Sequence, residues 1–305
     1  MKRKAADIVQ QFLQSLRVER RLSDNTLSAY QRDLSQLESY CQQQKITDWP
    51  KLVASDVRKF IAQRHRQGLG SRSLQRELSA CRSFFSYLNK IHYQDSNPAQ
   101  GIKAPKAAKK LPYVLDVDQL NGLLETVPTD DLETRDLAMW ELLYSSGLRL
   151  SELVYLDVAE LDLIAASVFI SHGKGNKSRV LPVGSKAISA LKSWLNVRGN
   201  TAKSEEKAVF VSKKGTRLTA RSIQSRLERW GKRQGLQGRL HPHMLRHSFA
   251  SHMLESSQDL RGVQELLGHS NISTTQVYTH LDFQHLASVY DQAHPRAKQR
   301  KKKDS

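Results

Sequence analysis

The sequence predicts a mainly α-helical protein of two domains, with one small antiparallel β-sheet. Apolar residues recur at steps of three and four along most of the 305-residue chain, which is the spacing of amphipathic helices. A stretch rich in proline and lysine at 97–112 lacks that periodicity and predicts a linker. Two short β-type runs within 167–183 flank a glycine-containing connection, which predicts a hairpin.

The first domain is predicted to be a bundle of helices. Its apolar positions form helical faces, and the capping candidates Ser23, Asp24 and Ser71 precede two of them. The opposite faces carry basic side chains that suit a phosphate backbone but could equally be a solvated surface. The predicted helices lie around 8–16, 27–40, 57–61 and 74–88, and the basic residues are Arg58, Lys59, Arg64, Arg66, Arg72, Arg76 and Arg82.

The second domain is predicted to be helical apart from the hairpin. An apolar helix ends at Gly147, and Arg149 lies in the tight connection before a helix that Ser151 begins. After the hairpin, helices continue to about Asp291. The predicted divisions are the bundle at 1–96, the linker at 97–112, this domain at 113–294 and a basic tail at 295–305.

Charge is the clearest feature of the composition. The chain has 48 Lys and Arg residues against 30 Asp and Glu residues, a net charge of +18. Residues 1–103 hold 18 basic and 9 acidic residues, and the remainder holds 30 and 21, so each part carries +9. A surplus spread over folded segments indicates a polyanionic partner. DNA fits that description, although a ribosome-associated basic protein would fit the charge almost as well.

Cysteine content and hydropathy predict a cytoplasmic protein. Cys41 and Cys81 each lie in a helical segment, where we expect small core residues in a reducing compartment. Asp7, Gln10 and Gln11 interrupt any apolar run near the basic N-terminus, so no signal peptide is expected. No later run of about 18 apolar residues could span a bilayer, and we expect no membrane insertion.

Two stretches of the second domain place a cation at a turn. An arginine in a buried corner needs an anion, and Glu152 is the partner that would make Arg149 part of a structural ion pair. Lys174 lies in the glycine-rich connection of the hairpin, where a lysine is usually just exposed. The run Gly173-Lys174-Gly175 lacks the spacing of a nucleotide-binding loop, so that kind of site is not expected.

A third stretch, Leu240 to Leu254, contains the predicted start of a helix. Pro242 fits its first turn, so His243 and Arg246, three residues apart, share a face near an end that attracts phosphate. His243 and His247 could instead bind a metal. No carboxylate follows at helical spacing before Glu255, however, and zinc is therefore disfavoured.

A fourth stretch carries a histidine and a phenol. Gly268 is predicted to end a helix and to leave His269 at the break, and Ser273 caps a short helix that carries Tyr278. An aromatic residue in such a helix is more often a core or interface residue than a nucleophile. Each of the four stretches alone therefore has an ordinary structural explanation.

Taken together, the stretches closely resemble the tyrosine site-specific recombinases in order, context and spacing. The motifs are Gly-Leu-Arg-x-Ser-Glu-Leu, His-x-Leu-Arg-His, and Leu-Gly-His followed by Tyr, and the resemblance spans nearly the whole chain. Within that family the chain is similar to the bacterial Xer type, nearer to its XerC branch than to its XerD branch. The resemblance implies the tyrosine recombinase fold, in which a helical core-binding, DNA-binding domain precedes a mostly α catalytic domain with a small antiparallel sheet.

The resemblance also implies roles for the residues. Phosphodiester exchange that keeps the bond energy needs a covalent phosphoenzyme, and Tyr278 is the implied nucleophile, forming a 3′-phosphotyrosyl intermediate. Fixed cations would meet the phosphate charge, so no metal and no cofactor is expected. The other roles are proton acceptor for His243, general acid for Lys174, phosphate contacts for Arg149, Arg246 and His269, and orientation of the arginines or of His243 for Glu152.

The implied partners are a double-stranded DNA recombination site, a XerD-like recombinase in a heterotetramer, and a DNA translocase at the division septum. An apolar set after the tyrosine, namely Leu281, Phe283, Leu286 and Val289, is expected to dock on a neighbouring protomer. Three other functions stay open on the residues alone. They are a non-catalytic DNA-binding or architectural protein, a type IB topoisomerase, and a metal-dependent nuclease that uses His243 and His247.

Overall fold

The computed structural model divides the chain into two compact units, Met1–Lys110 and Leu111–Ser305. The predicted class, mainly α with a small antiparallel sheet, is confirmed. No helix among the described residues is both long and apolar enough to cross a bilayer. The structure describes residues 3–19, 22, 24–105, 114–171, 178–236, 238–259, 262–263, 266–267, 290 and 293–296.

The first unit contains the four helices that the sequence predicts. Their aromatic residues meet in one core, where the Phe84 ring lies 4.9 Å from Trp49 and 5.4 Å from Phe12. Cys41 and Cys81 are fully buried there, and burial raises the pKa of Cys41 to about 12. The helices are α1 (Arg3–Glu19), α2 (Asp24–Gln43), α3 (Ala54–Arg66) and α4 (Ser71–Lys90), with a 3₁₀ turn at Trp49–Lys51.

The packing of the first unit extends past residue 96, into the stretch predicted as a linker. Ala99 and Ile102 are buried in the same core. The Arg82 guanidinium donates to the carbonyl oxygens of both residues, and Asn97 donates from Nδ2 to the Arg82 carbonyl at 3.0 Å. Arg82 therefore anchors the start of this stretch instead of lying on an open basic face. Residues 106–112 of the stretch lie outside the described residues.

The second unit is built around one almost wholly buried helix, α6. Helices α8 and α10 pack against it, and the three strands form an antiparallel sheet in the order β1, β2, β3. The sequence did not predict β1, which has only two residues. The elements are α5 (Val117–Leu124), α6 (Asp131–Ser146), α7 (Leu150–Tyr155), β1 (Leu161–Asp162), β2 (Ser167–Ile170), β3 (Arg179–Pro182), α8 (Ser185–Arg198), α9 (Ala220–Arg233) and α10 (Pro242–Ser257).

The last described residues, Tyr290 and 293–296, pack into the second unit, and we call them the C-terminal anchor. Tyr290 stacks on His294 with ring centroids 4.7 Å apart, and its hydroxyl lies 2.7 Å from Oγ of Ser145 on α6. Arg296 donates to the carboxylate of Glu141 on the same helix, and both side chains are buried. Arg296 was placed in the predicted basic tail, but this ion pair holds it in the core.

The apolar set predicted to dock on a neighbour, 281–289, lies outside the described residues. The C-terminal anchor directly after it contacts its own chain. The segment expected to dock on a neighbour is therefore directly followed by one that packs on its own chain.

Candidate active site

Arg149 is held at the junction between α6 and α7. Gly147 ends α6 in the left-handed conformation, with φ of 58°, and a Cβ there would lie 2.5 Å from the Phe249 ring. Only glycine fits this turn, both for its φ and for the close approach. The turn makes Arg149 the N-cap of α7, which begins at Leu150, one residue before the predicted Ser151.

Glu152 pairs with Arg149 in two ways. Its Oε2 accepts the backbone N–H of Arg149 at 2.8 Å, and its Oε1 accepts Nη1 of the Arg149 guanidinium at 2.8 Å. The carboxylate is buried, with 3% of the residue exposed. The ion pair that the sequence suggested is therefore present, and it fixes both the backbone and the side chain of Arg149.

A second arginine, Arg179, binds the same carboxylate. Its Nη1 and Nη2 donate to Oε1 and Oε2 of Glu152, each at 2.9 Å, in a parallel pair. Sequence reasoning did not identify this residue. Arg179 shares the buried face of β3 with Leu181, and a cation two residues before a core leucine in an apolar strand is the signal that could have found it.

Arg246 reaches the same place from α10. As predicted, Pro242 is the first residue of that helix, after His241 as N-cap. The Arg246 guanidinium donates to the carbonyl oxygen of Gly147, and its Nη2 donates to the carbonyl oxygen of Leu267 at 2.5 Å. Nη2 of Arg149 donates to that same Leu267 oxygen at 3.0 Å. Two guanidinium groups from distant segments thus meet at one backbone oxygen.

The group of Arg149, Glu152, Arg179 and Arg246, which we call the arginine cluster, carries a surplus of positive charge. Burial, together with the charge of Arg149, lowers the pKa of Arg246 to about 10, so it stays protonated at neutral pH. Burial opposes ionisation of Glu152, but hydrogen bonds and charge from Arg179 and Arg149 outweigh it and lower its pKa. The cluster therefore holds three guanidinium groups and one carboxylate, and the site suits a further anion.

His243 lies one turn before Arg246, at the start of α10. Partial burial of the ring lowers the pKa of His243, and the charges of nearby histidines and of the two arginines lower it further. The imidazole is consequently neutral at neutral pH and is able to accept a proton. Among the described residues, His, Cys, Asp and Glu side chains do not come together in any group of three that could hold a metal ion.

The structure thus brings together Arg149, Glu152 and Arg246 of the predicted site and places His243 beside them. Lys174, His269 and Tyr278 lie outside the described residues. The chain nevertheless links two of them to the arginine cluster: Arg179 follows Lys174 by five positions, and the shared oxygen of Leu267 precedes His269 by two.

Two family profiles match most of the chain. The phage integrase family matches residues 113–285, and the phage integrase N-terminal SAM-like domain matches residues 9–91. The chain is 54% identical over 289 residues to a protein of Actinobacillus pleuropneumoniae serotype 7 named tyrosine recombinase XerC, covering 95% of this chain and 94% of the relative. The protein of that name from Escherichia coli O127:H6 is 52% identical over 293 residues, covering 96% and 98%.

Solved structures of DNA complexes share the fold. XerH site-specific recombinase bound to difH substrate, in a pre-cleavage complex, has a TM-score of 0.64 and 26% identity, covering 87% of this chain and 79% of that one. The Tn1549 transposon integrase in complex with transposon right end DNA has a TM-score of 0.72, covering 92% and 98%. At 18% identity the integrase shows similarity of fold only.

Proposed function

Since this chain belongs to the phage integrase family and is a DNA strand-exchange enzyme of the tyrosine recombinase type, we propose that it resolves chromosome dimers at cell division. It would do so by cutting and rejoining DNA at a recombination site through a 3′-phosphotyrosyl intermediate. The observation that supports the catalytic part is the meeting of Arg149 and Arg246 at the Leu267 carbonyl. Such a fixed pair of cations fits the non-bridging oxygens of one phosphodiester.

The first transesterification follows from the residue types. The phenol oxygen of Tyr278 attacks phosphorus, a phosphorus–oxygen bond forms to the protein, and the bond from phosphorus to the 5′ oxygen breaks. His243, whose lowered pKa keeps it neutral, takes the phenol proton. Lys174 gives a proton to the departing 5′ oxygen. The reverse sequence, with a 5′ hydroxyl from another strand, reseals the DNA.

The arginine cluster supplies the charge stabilisation for both steps. Negative charge that builds on the non-bridging oxygens is met by Arg149 and Arg246, with a further hydrogen bond from His269. Glu152 orients Arg149, since it accepts hydrogen bonds from both the side chain and the backbone N–H of that residue. Preorganised charges of this kind lower the barrier because they need no rearrangement during the reaction.

The biological setting rests on the relatives. Identity above 50% over nearly the whole chain to proteins named XerC supports a XerC-like role in the cytoplasm. In that role two subunits pair with two of a XerD-like recombinase on aligned DNA sites, and a DNA translocase at the division septum controls them. The first unit would grip the DNA with exposed basic residues, namely Arg58, Lys59, Arg66 and Arg72.

A trapping experiment tests the covalent chemistry. We expect the chain to form a protein-linked strand on a nicked DNA carrying a candidate chromosome-dimer site. The nick lets the short fragment with the new 5′ hydroxyl diffuse away, so the strand cannot be resealed. Tyr278→Phe removes only the hydroxyl, so this variant should bind the DNA in a gel shift and yield no adduct. An adduct formed by that variant would assign the nucleophile elsewhere. Strand cleavage that yields no adduct and stops in EDTA would favour the metal-dependent nuclease.

A second experiment separates recombination from topoisomerase activity. Supercoiled plasmids that carry two candidate sites are incubated with the chain alone and with a XerD-like recombinase from the same cell. We expect recombinant products only with both proteins. Relaxation of a plasmid without such sites, with no exchange on the two-site plasmid, would point to the topoisomerase alternative.

A further inference from the structure

Arg179 has contacts that the proposed roles do not explain. Its guanidinium donates both of its terminal nitrogens to Glu152, whereas Arg149 and Arg246 donate to the Leu267 carbonyl. We propose that Arg179 is a positioning residue for strand cleavage: it fixes the Glu152 carboxylate, which in turn fixes the Arg149 guanidinium for the phosphate. This inference rests on the proposed function, since it concerns the same site.

Four hydrogen bonds hold the Glu152 carboxylate in place. Each oxygen of Glu152 accepts one hydrogen bond from Arg179 and one from Arg149, the latter from Nη1 or from the backbone N–H. Four donors fix the plane of the carboxylate. Without Arg179, two of the four donors are lost, the carboxylate is free to rotate, and the Arg149 guanidinium loses its fixed partner.

Arg179 is buried in the core of the second unit. Only 6% of the residue is exposed, and within the described part of the chain its Nε has no hydrogen-bond partner. A buried guanidinium with an unmet donor costs folding free energy, which an apolar residue at this position would not. Leu181, on the same face of β3, shows that an apolar side chain suits this core. Holding Glu152 is the gain that offsets this cost.

Arg179 lies at the end of the β2–β3 pairing. It pairs with Ile170 of β2, and this is the last pair before the connection 171–178. That connection carries Lys174, the proposed general acid. Arg179 therefore belongs both to the base of the hairpin and to the arginine cluster. An experiment has to separate an effect on Arg149 from an effect on Lys174.

The test compares Arg179→Met with a matched control. Arg135 is also a buried arginine of the second unit, paired with Asp136, and lies twelve residues before Gly147 along α6, or about 18 Å at the helical rise. We expect Arg179→Met to lower the single-turnover rate of adduct formation by about 10²-fold at saturating DNA, as a misplaced catalytic group does. Arg135→Met should reduce thermal stability but keep the adduct rate of the folded protein.

Combination with Glu152→Gln tests the route. If Arg179 acts through Glu152, the double variant should be no slower than the slower single variant, whereas independent defects would multiply. A substrate with a 5′-bridging sulfur needs no general acid, because the thiolate leaves unprotonated. The Arg179→Met defect should persist on that substrate, since it concerns Arg149 and not Lys174.

The outcomes are decisive in either direction. A wild-type adduct rate in Arg179→Met, multiplied defects in the double variant, or rescue by the sulfur substrate would each overturn the inference. If Arg179→Met does not fold, Arg179→Lys keeps the charge but loses the parallel pair of hydrogen bonds, and a wild-type rate there would overturn it equally. A wild-type chain that forms no adduct on any candidate site would instead overturn the proposed function.

Discussion

Replacing Arg296 by methionine should destabilise the second unit strongly. Arg296 donates to both carboxylate oxygens of Glu141, and its Nη1 donates to Oδ1 of Asn121 at 3.0 Å. With 6% of Arg296 and 3% of Glu141 exposed, the substitution leaves a carboxylate buried without its cation. Breaking a buried pair from one side costs about 3–5 kcal/mol of the free energy of unfolding. For a unit of this size that corresponds to a fall in Tm of roughly 10 °C.

The size of this loss should depend on pH. Burial raises the pKa of Glu141, and the charge and hydrogen bonds of Arg296 oppose that rise. Without Arg296 the folded-state pKa of Glu141 rises further. In the unfolded chain the Glu141 carboxyl has a pKa of about 4.3, so above that pH the folded variant still binds a proton that the unfolded chain has released. Stability of the variant relative to the wild type therefore falls as pH rises from the folded-state pKa of Glu141 in the wild type to its higher folded-state pKa in the variant.

Urea unfolding measures both effects. Tryptophan fluorescence is suitable because Trp140, Trp194 and Trp230 are buried in the second unit. The double variant Arg296→Met with Glu141→Leu removes both charges and should recover most of the loss, because no buried carboxylate remains. Equal stability of Arg296→Met and wild type at pH 7, or a deficit that grows as the pH falls, would refute the reasoning.

This energetic role changes how the assembly hypothesis should be tested. A truncation from Leu281 onward removes the predicted docking segment, but it also removes the C-terminal anchor and leaves Glu141 unpaired. Loss of strand exchange in such a chain would follow from unfolding alone. Polar substitutions at Leu281, Phe283, Leu286 and Val289 keep the anchor, and loss of exchange with unchanged single-site cleavage would indicate docking on a neighbour.

Three further outcomes follow from the arginine cluster and its neighbours. Arg246→Ala should slow adduct formation by about 10²–10³-fold with little change in DNA affinity, as loss of one charge-stabilising donor does, and a rate within tenfold of wild type would exclude that role. Lys174→Ala should be partly rescued by a 5′-bridging sulfur substrate, and absence of rescue would count against it as the acid. Because the pKa of His243 is lowered from its ordinary value of about 6.5, the midpoint of the decline in cleavage rate on acidification should lie below that pH. A midpoint above it would contradict His243 as the acceptor.

What the sequence predicts well here is local. The helices of both units follow from apolar spacing, and the turn that presents Arg149 follows from Gly147 at a helix end. Partners that are far apart in the chain are not predictable in this way. Arg179 finds Glu152 across 27 positions, and Arg296 finds Glu141 across 155. The sequence pattern predicts a strand for Arg179 and a basic tail for Arg296, because no local signal reveals a buried counter-ion.

The hydrogen bonds that Arg149 and Arg246 donate to the Leu267 carbonyl determine how strand cleavage is lost when the second unit opens. Arg149 caps the N-terminus of α7, Arg246 belongs to α10, and the oxygen that both bind belongs to a third segment. A site made of three distant segments exists only while all three are packed together. Local unfolding of any one of them therefore disrupts the arrangement of Arg149 and Arg246. The first unit has a core of its own and does not share this dependence. Local opening of the second unit is therefore expected to abolish strand cleavage while the core of the first unit stays intact.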